Sequence, residues 1–511
     1  MNTIKFQSVS ELLFAQCLEN PTKDFILVED KTGLLETVNY QTFELKVKKL
    51  SAVLVNKGIK KGDKVFLHLP NGIDFTLSWF AILSIGAIMV PTNILSTKEE
   101  ITYLVSHSES KLIITEKEYE EKFIDFKHLP ILFSRLTHEQ NGISLEQAIE
   151  KSIALDSFPT LSGHDEAAIL YTSGTTSRPK GVVLTHQNYL HTGEKMAERL
   201  TLTSSDRTFI VLPMFHGNGQ YYMAMPALSV GASIAIAEQF SATNYIKQAK
   251  RMDATVGSLF SAPIKMILKK NYAPEDADNS LRLIIYAQSI TDQQYQDFTG
   301  RYQVPLLQLY GMTETVAVPL MNSLDDVNDS TSIGKEACGY QVKLRDDKGE
   351  EVNDGDEGEI TVFGIPGETI MKEYYKNEQE TAKAIQFNWL YTGDMARKDP
   401  QTGLYYFVDR KKDMMKRSGE NIAAGEVEAV INEHAAVFES AVIGLPDPIY
   451  EESIHAFVIV KENTVVTAEE IIHWCQEKLA KFKVPQAVHI VQEFPRTSVG
   501  KIQKQHLKTL L

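Results

Sequence analysis

The sequence predicts an α/β protein in two parts: a large N-terminal domain of helix-covered sheets with a β-rich subregion, and a small mobile α+β domain at the C-terminus. Three observations predict it. Short apolar, β-rich runs alternate with amphipathic stretches of helical period over most of the chain. After about residue 330 the texture changes to apolar–polar alternation around Gly-Asp turns, the pattern of antiparallel hairpins. Residues 426–511 then read as a compact unit of their own.

The elements follow in order. Residues 41–58 have the spacing of an amphipathic helix that stops at Gly58. Lys64-Val-Phe-Leu-His-Leu-Pro70 reads as a buried strand, the run from Thr76 to Ala87 as a helix, and Ala87 to Pro91 as the next strand. Residues 111–115, 167–173, 208–213, 233–237 and 281–287 are further short β-rich runs with helical stretches between several of them. Such alternation predicts parallel sheets covered by helices. Gly339 to Gly364 predicts hairpins. The C-terminal unit reads as a helix over 426–433, strands at Ala441–Pro446 and Ser453–Val460, a helix over 467–482, a strand from Ala487 and a basic tail. The charged stretch Asp409-Arg-Lys-Lys412 marks the join, giving domains 1–408 and 413–511 with a hinge at 409–412. No long linker separates them, so the join acts as a hinge rather than a tether.

At 511 residues, 43% hydrophobic and 23% charged, the composition is that of a globular protein with ample core. The net charge of -15 argues against non-specific nucleic-acid binding, which rests on basic patches. Cys17, Cys338 and Cys475 are far apart, so neither a zinc site nor a disulfide framework is indicated. Reduced thiols fit a cytoplasmic protein. The N-terminus has no apolar signal region, and the longest apolar stretch, Ser78 to Pro91, is too short to span a bilayer, so no integral membrane association is expected.

The most informative segment is Tyr171-Thr-Ser-Gly-Thr-Thr-Ser-Arg-Pro-Lys-Gly181, which follows an apolar strand. Glycines such as Gly174 let backbone N–H groups approach a phosphate. Thr172, Ser173, Thr175 and Thr176 add hydroxyl donors, and Lys180 adds a point charge. The order does not match the Walker loop, so a P-loop NTPase is not supported. Four more strings recur downstream: Leu309-Tyr-Gly-Met-Thr-Glu-Thr315, Tyr391-Thr-Gly-Asp394, Val408-Asp-Arg-Lys-Lys-Asp413 with Gly419-Glu-Asn-Ile422 after it, and Pro495-Arg-Thr-Ser-Val-Gly-Lys-Ile502.

Together, in this order, these strings resemble the adenylate-forming superfamily of acyl-CoA synthetases, luciferase-like enzymes and peptide-synthetase adenylation domains. The resemblance covers nearly the whole chain. It implies an ATP-dependent acid:thiol ligase that makes an acyl-adenylate and passes the acyl group to coenzyme A. ATP, Mg2+, CoA and a small-molecule carboxylic acid are the implied ligands. Negative charge spreads over several oxygens as pyrophosphate leaves, so the chemistry needs positioned cations and donors.

The resemblance assigns roles residue by residue. The phosphate loop is Thr172 to Thr176 with Lys180. Glu314 is a hard oxygen ligand suited to Mg2+, with Thr175 or Thr176 nearby. Tyr310, Gly311 and Thr313 belong to the nucleotide segment, and Tyr310 offers a flat face to adenine. Asp394 accepts from the ribose hydroxyls, and Arg410 donates to ribose or phosphate. Lys501 reaches the acyl carboxylate and the α-phosphate during adenylation. Lys412 matches the hinge, and Lys416, Gly419 and Glu420 lie on the CoA side. His216, in Pro213-Met-Phe-His-Gly217, lines the acyl pocket with Gly217.

One string departs from the pattern. Many members carry a Gly-Gly-Ala-Pro-type segment where this chain has Ile285-Tyr-Ala-Gln-Ser-Ile290. That puts Gln288 in or near the pocket. This string, and the run from Ala237 to Val256, resemble the crotonobetaine/carnitine-CoA ligase branch, so the expected acid is betaine-like or a fatty acid. Two other readings stay open: a stand-alone adenylation enzyme that loads a carrier protein, and a non-catalytic homologue that keeps the ATP site.

Overall fold

The computed structural model describes residues 5–137, 140–172, 179–271, 273–326, 329–411, 413–417, 420–448, 451–462, 464–496 and 502–511. The chain divides into two compact units. The first comprises residues 1–330, 336–341 and 363–390, and the second residues 331–335, 342–362 and 391–511.

Two large sheets build the first unit. One runs in the order 320–321, 306–310, 283–287, 256–260, 207–210, 233–237, 24–29, 35–39, parallel except where its first and last strands fold back. The other runs 373–374, 180–185, 166–172, 88–91, 64–68, 112–116, 131–134, 143–144. It too is parallel in its middle, with antiparallel strands at the 166–172 side. The strands read from the sequence lie close to their expected places. Their runs of apolar residues are buried because helices cover both faces.

Helix Tyr40–Asn56 shows why the period was readable. Asn39 caps it by accepting the Thr42 N–H. Phe43, Val47, Leu50 and Leu54 recur at helical spacing and are all fully buried. Phe43 packs its ring against Phe25 and Phe80. Burying each such side chain contributes about 1.5–3 kcal/mol, so Leu50→Ala would cost about 2–5 kcal/mol. Helix Ile73–Ser84 is buried on nearly every face, which explains its unbroken apolar run.

Most of antiparallel strands 357–363 and 389–398, and all of 405–410, belong to the second unit, with Asp394 opposite Arg410 and Met395 opposite Asp409. Further on, strands 415–417, 420–422, 437–447, 451–460 and 487–490 form another sheet. Helices Ala424–Asn432 and Ala468–Lys478 pack on it through Val427, Ile431, Ile471 and Cys475. The second helix is shorter than the expected 467–482: Leu479 turns extended, and Lys481–Lys483 form a separate 3-10 turn. The compact grouping places residues 342–362 and 391–408 with the C-terminal residues, because the pairing of 394–398 with 405–410 ties the chain across residue 409.

Candidate active site

Parallel strands bring their carboxyl ends to one edge of a sheet, the usual place for a ligand crevice in α/β folds. Three neighbouring strands here end at Phe260, Ala287 and Tyr310. Gln288 and the Tyr310–Glu314 segment follow directly on these ends, and His216 lies a few residues past the neighbouring strand that ends at Ile210.

Glu314 sits in a short 3-10 turn, Thr313–Thr315, and is only 4% exposed. The Thr315 hydroxyl closes that turn, bonding Met312 N and O at 3.0 Å each. The Tyr374 hydroxyl donates to Glu314 Oε1 at 2.8 Å. Burial, and then the charge of Glu314, push the Tyr374 phenol well above its ordinary value, so it stays a donor. The Tyr374 ring in turn lies 4.9 Å beneath Lys180 Nζ, a cation–π contact. Lys180 also pairs with Glu380 Oε2 at 2.5 Å. Lys180 and its neighbour Lys383 hold the Glu380 carboxyl down to about 2. Lys180 and Glu314, assigned from separate strings, are thus linked through one aromatic side chain. Strand 373–374 makes the link by pairing with Val182 and Val183.

Thr172 ends strand 166–172, its hydroxyl reaching Lys180 O at 3.5 Å. Tyr310 and Thr313 are buried. Gly311 is required by space: a Cβ there would lie 2.6 Å from Tyr222 Oη.

The predicted acyl-pocket residues gather at Phe260 and Ser261. His216 meets the Phe260 ring edge to face, with centroids 6.2 Å apart. The Asn218 N–H points at His216 Nδ1 from 3.4 Å. Gln288 adopts φ +71° and accepts the Ser261 hydroxyl at 3.2 Å. Asn218, which begins a π-helical turn, accepts the Ser258 hydroxyl at 2.9 Å. Gly217 allows the Tyr221 ring to come within 2.7 Å of its would-be Cβ.

In the second unit, Asp394 is buried and stands 3.5 Å from Arg410 Nε, whose side chain is 42% exposed. Asp409 is fixed beside them, taking the N–H groups of Arg410 and Gly425 at 2.7 and 2.9 Å. Lys416 is exposed, with its N–H on Glu452. Ser173, Gly174, Thr175, Thr176, Lys412, Gly419 and Lys501 lie outside the described residues, as does the Glu420 side chain.

Sequence reasoning missed Tyr374, Glu380, Tyr222, Phe260, Ser261 and Ser258. Tyr374 lies on a two-residue strand in Met371-Lys-Glu-Tyr-Tyr-Lys376, too short to carry any period. Ser258 and Phe260 belong to a strand that was not singled out, where a pocket role shows only in three dimensions.

Among the described residues no group of three His, Cys, Asp or Glu side chains is placed to hold a metal. A magnesium ion carried by a nucleotide needs no such group, since one carboxylate and the phosphates suffice. The buried carboxylate of Glu314 fits that donor set. No helix among the described residues is long and apolar enough to cross a membrane.

Residues 13–375 match the AMP-binding enzyme family, and residues 426–501 match its C-terminal domain. The crotonobetaine/carnitine–CoA ligases of Salmonella heidelberg (strain SL476) and Salmonella typhimurium (strain LT2) are each 35% identical over 497 residues, covering 95% of this chain and 96% of the relative. An anthranilate CoA ligase bound to anthranoyl-AMP superposes with a TM-score of 0.90 at 25% identity, covering 99% of this chain and 97% of the other. An o-succinylbenzoate CoA synthetase of Bacillus subtilis bound to AMP gives 0.85 at 26% identity, covering 97% and 98%. The chain belongs to the AMP-binding enzyme family. Within it, the chain is an ATP-dependent acid–thiol ligase of the acyl-CoA synthetase kind.

Proposed function

We propose that the acid is small and betaine-like, in the manner of carnitine or crotonobetaine, and that Glu314 takes the magnesium of ATP. The reaction has two halves. A carboxylate oxygen of the acid attacks the α-phosphorus of ATP, the bond to the bridging oxygen breaks, and pyrophosphate leaves. The thiol sulfur of CoA, giving up its proton, then attacks the acyl carbon. The acyl C–O bond breaks and AMP departs with that oxygen.

The observation that carries the choice of acid is 35% identity to crotonobetaine/carnitine–CoA ligases over 95% of the chain. The polar groups around the pocket agree with it. Gln288, Ser261, Asn218 and Ser258 border His216 and Phe260. A site bordered by polar side chains suits a small polar acid better than a long alkyl chain.

Each residue's work follows from its chemistry. Lys180 brings a cation to the phosphates, and an arriving phosphate competes with Glu380 for it. Magnesium, when bound with ATP, neutralises phosphate charge, and Glu314 with Thr175 would hold it. Tyr310 faces adenine, while Asp394 and Arg410 take the ribose. Lys501 serves the first half-reaction. Residues 409–412, with Lys412, form the hinge between 1–408 and 413–511 that brings Lys416, Gly419 and Glu420 to CoA in the second.

Pyrophosphate release tests the substrate. The panel should hold carnitine, crotonobetaine, γ-butyrobetaine, short to long fatty acids and benzoates, each with Mg-ATP, with and without CoA. CoA-dependent turnover with betaines is expected. A preference for long fatty acids or benzoates overturns the choice of acid, and turnover only with a carrier protein overturns CoA as acceptor.

A further inference from the structure

The chain just after Glu314 is bent as a valine rarely permits. Val316 has φ +66° and ψ −83° and is fully buried. These values lie close to the strained three-residue γ-turn, and a positive φ in a β-branched residue is an outlier. Such strain persists only where the surroundings impose it, and it gathers at functional sites.

The surroundings here converge on one hydroxyl. Tyr340 Oη reaches Thr315 O at 2.6 Å and also Thr369 O. Thr315 O opens the turn about Val316, so the hydroxyl anchors that turn. Its single proton serves the two carbonyls. The second carbonyl matters as well. Two residues beyond Thr369, the Met371 N–H bonds Glu314 O at 2.9 Å. Tyr340 therefore joins both backbone segments that flank Glu314.

Tyr340 is itself firmly placed. Cys338 and Gly339 both have positive φ, 54° and 76°, and the Tyr340 N–H returns to Ala337 O at 3.1 Å. That is a tight turn of the I′ kind. The buried ring meets His191 edge to face at 5.7 Å. Ring packing and hydroxyl bonding are thus separable, because phenylalanine keeps the first and removes the second.

We propose that Tyr340 is a positioning residue for adenylate formation: its hydroxyl holds the strained turn at Val316 and thereby the carboxylate of Glu314. This rests on the reading of Glu314 as the carboxylate that serves magnesium-bound ATP. Without the hydroxyl, Thr315 O and Thr369 O lose a shared partner in a buried place. The turn then relaxes and Glu314 moves off its line to Tyr374. Pyrophosphate has left before the thiol attacks, so the second half-reaction does not need this placement.

The test uses the full-length enzyme as Tyr340→Phe, Val316→Gly, the double variant, and Glu314→Gln. Adenylation is followed by pyrophosphate release across a magnesium titration. The second half-reaction is followed by thioester formation from synthetic acyl-adenylate and CoA, and folding by thermal melting. Tyr340→Phe should lower kcat for adenylation about ten- to hundredfold and raise the magnesium concentration for half-maximal rate, as outer supports of a metal ligand do. Thioester formation should keep its rate. Glycine accepts the bent backbone without strain, so removing the hydroxyl should cost far less in the Val316→Gly background.

Wild-type adenylation and magnesium dependence in Tyr340→Phe, while Glu314→Gln is inactive, overturns the inference alone. So does an equal loss in both half-reactions, or the same fold-loss in both backgrounds, which marks a merely structural role. Wild-type adenylation in Glu314→Gln overturns the reading of Glu314 and the inference with it.

Discussion

The two carboxylates assigned to the nucleotide, Glu314 and Asp394, live in opposite surroundings. Glu314 is held in the first unit by a neutral phenol on a two-residue strand, within a closed turn and beside a strained one. Asp394 is held in the second unit on an antiparallel pair whose register shifts just after it, near a half-exposed arginine. A carboxylate placed by a phenol within a closed turn suits a cation that comes with the substrate. A carboxylate on a paired strand offers acceptor oxygens at a fixed place and little else. The first arrangement suits the reacting end of ATP and the second suits its sugar.

Substitution at the two positions should separate these roles. Glu314→Gln keeps the shape and removes the charge. It should lower the adenylation rate about 10²- to 10³-fold, the usual effect of losing one positioned group at developing charge. A loss under tenfold in pyrophosphate release would place the two carboxylates on one footing.

Asp394→Asn should act on binding. The amide keeps one acceptor and loses the charge, a difference of about 1.5 kcal/mol for a charged hydrogen bond. The KM for ATP should rise about tenfold with kcat nearly unchanged, since the sugar contact is the same before and during reaction. A fall in kcat at unchanged KM would contradict that assignment.

The smallest effect concerns Glu380, which pairs with Lys180. Its carboxyl is held down to about 2. A depressed carboxyl stabilises the fold above its ordinary value, and that contribution fades as pH falls from about 4.5 towards 2. The pair is partly exposed, so the increment is under about 1 kcal/mol. Melting temperatures of wild type and Glu380→Gln should differ slightly at pH 6 and converge by pH 2. A gap that widens on acidification would show that the carboxyl is not held in this way.

The same contrast explains what could be read from the residues alone. Helix Tyr40–Asn56 and the parallel strands announce themselves through spacing, because burial on one face or on both leaves a periodic record. Lys180, Glu314, Asp394 and Arg410 stand in strings whose glycines and hydroxyls mark them. Tyr374 and Glu380 carry no such mark. Each reaches Lys180 across about two hundred residues, through a strand of two residues and a short helix. Tyr340 is hidden for a similar reason: its hydroxyl matters only because Val316 bends towards it. Gln288 was legible as a departure from the family pattern, but its left-handed backbone and its bond to Ser261 were not.

One isotope experiment decides whether the acid is activated on phosphorus at all. The enzyme is given Mg-ATP, CoA and an acid labelled with 18O in its carboxylate, and the nucleotide product is weighed by mass spectrometry. Attack of the carboxylate on the α-phosphorus followed by thiolysis leaves one labelled oxygen on AMP for each thioester formed. AMP without label, or ADP with inorganic phosphate in its place, would contradict an acyl-adenylate and with it the roles drawn here for Glu314, Lys180 and Tyr340.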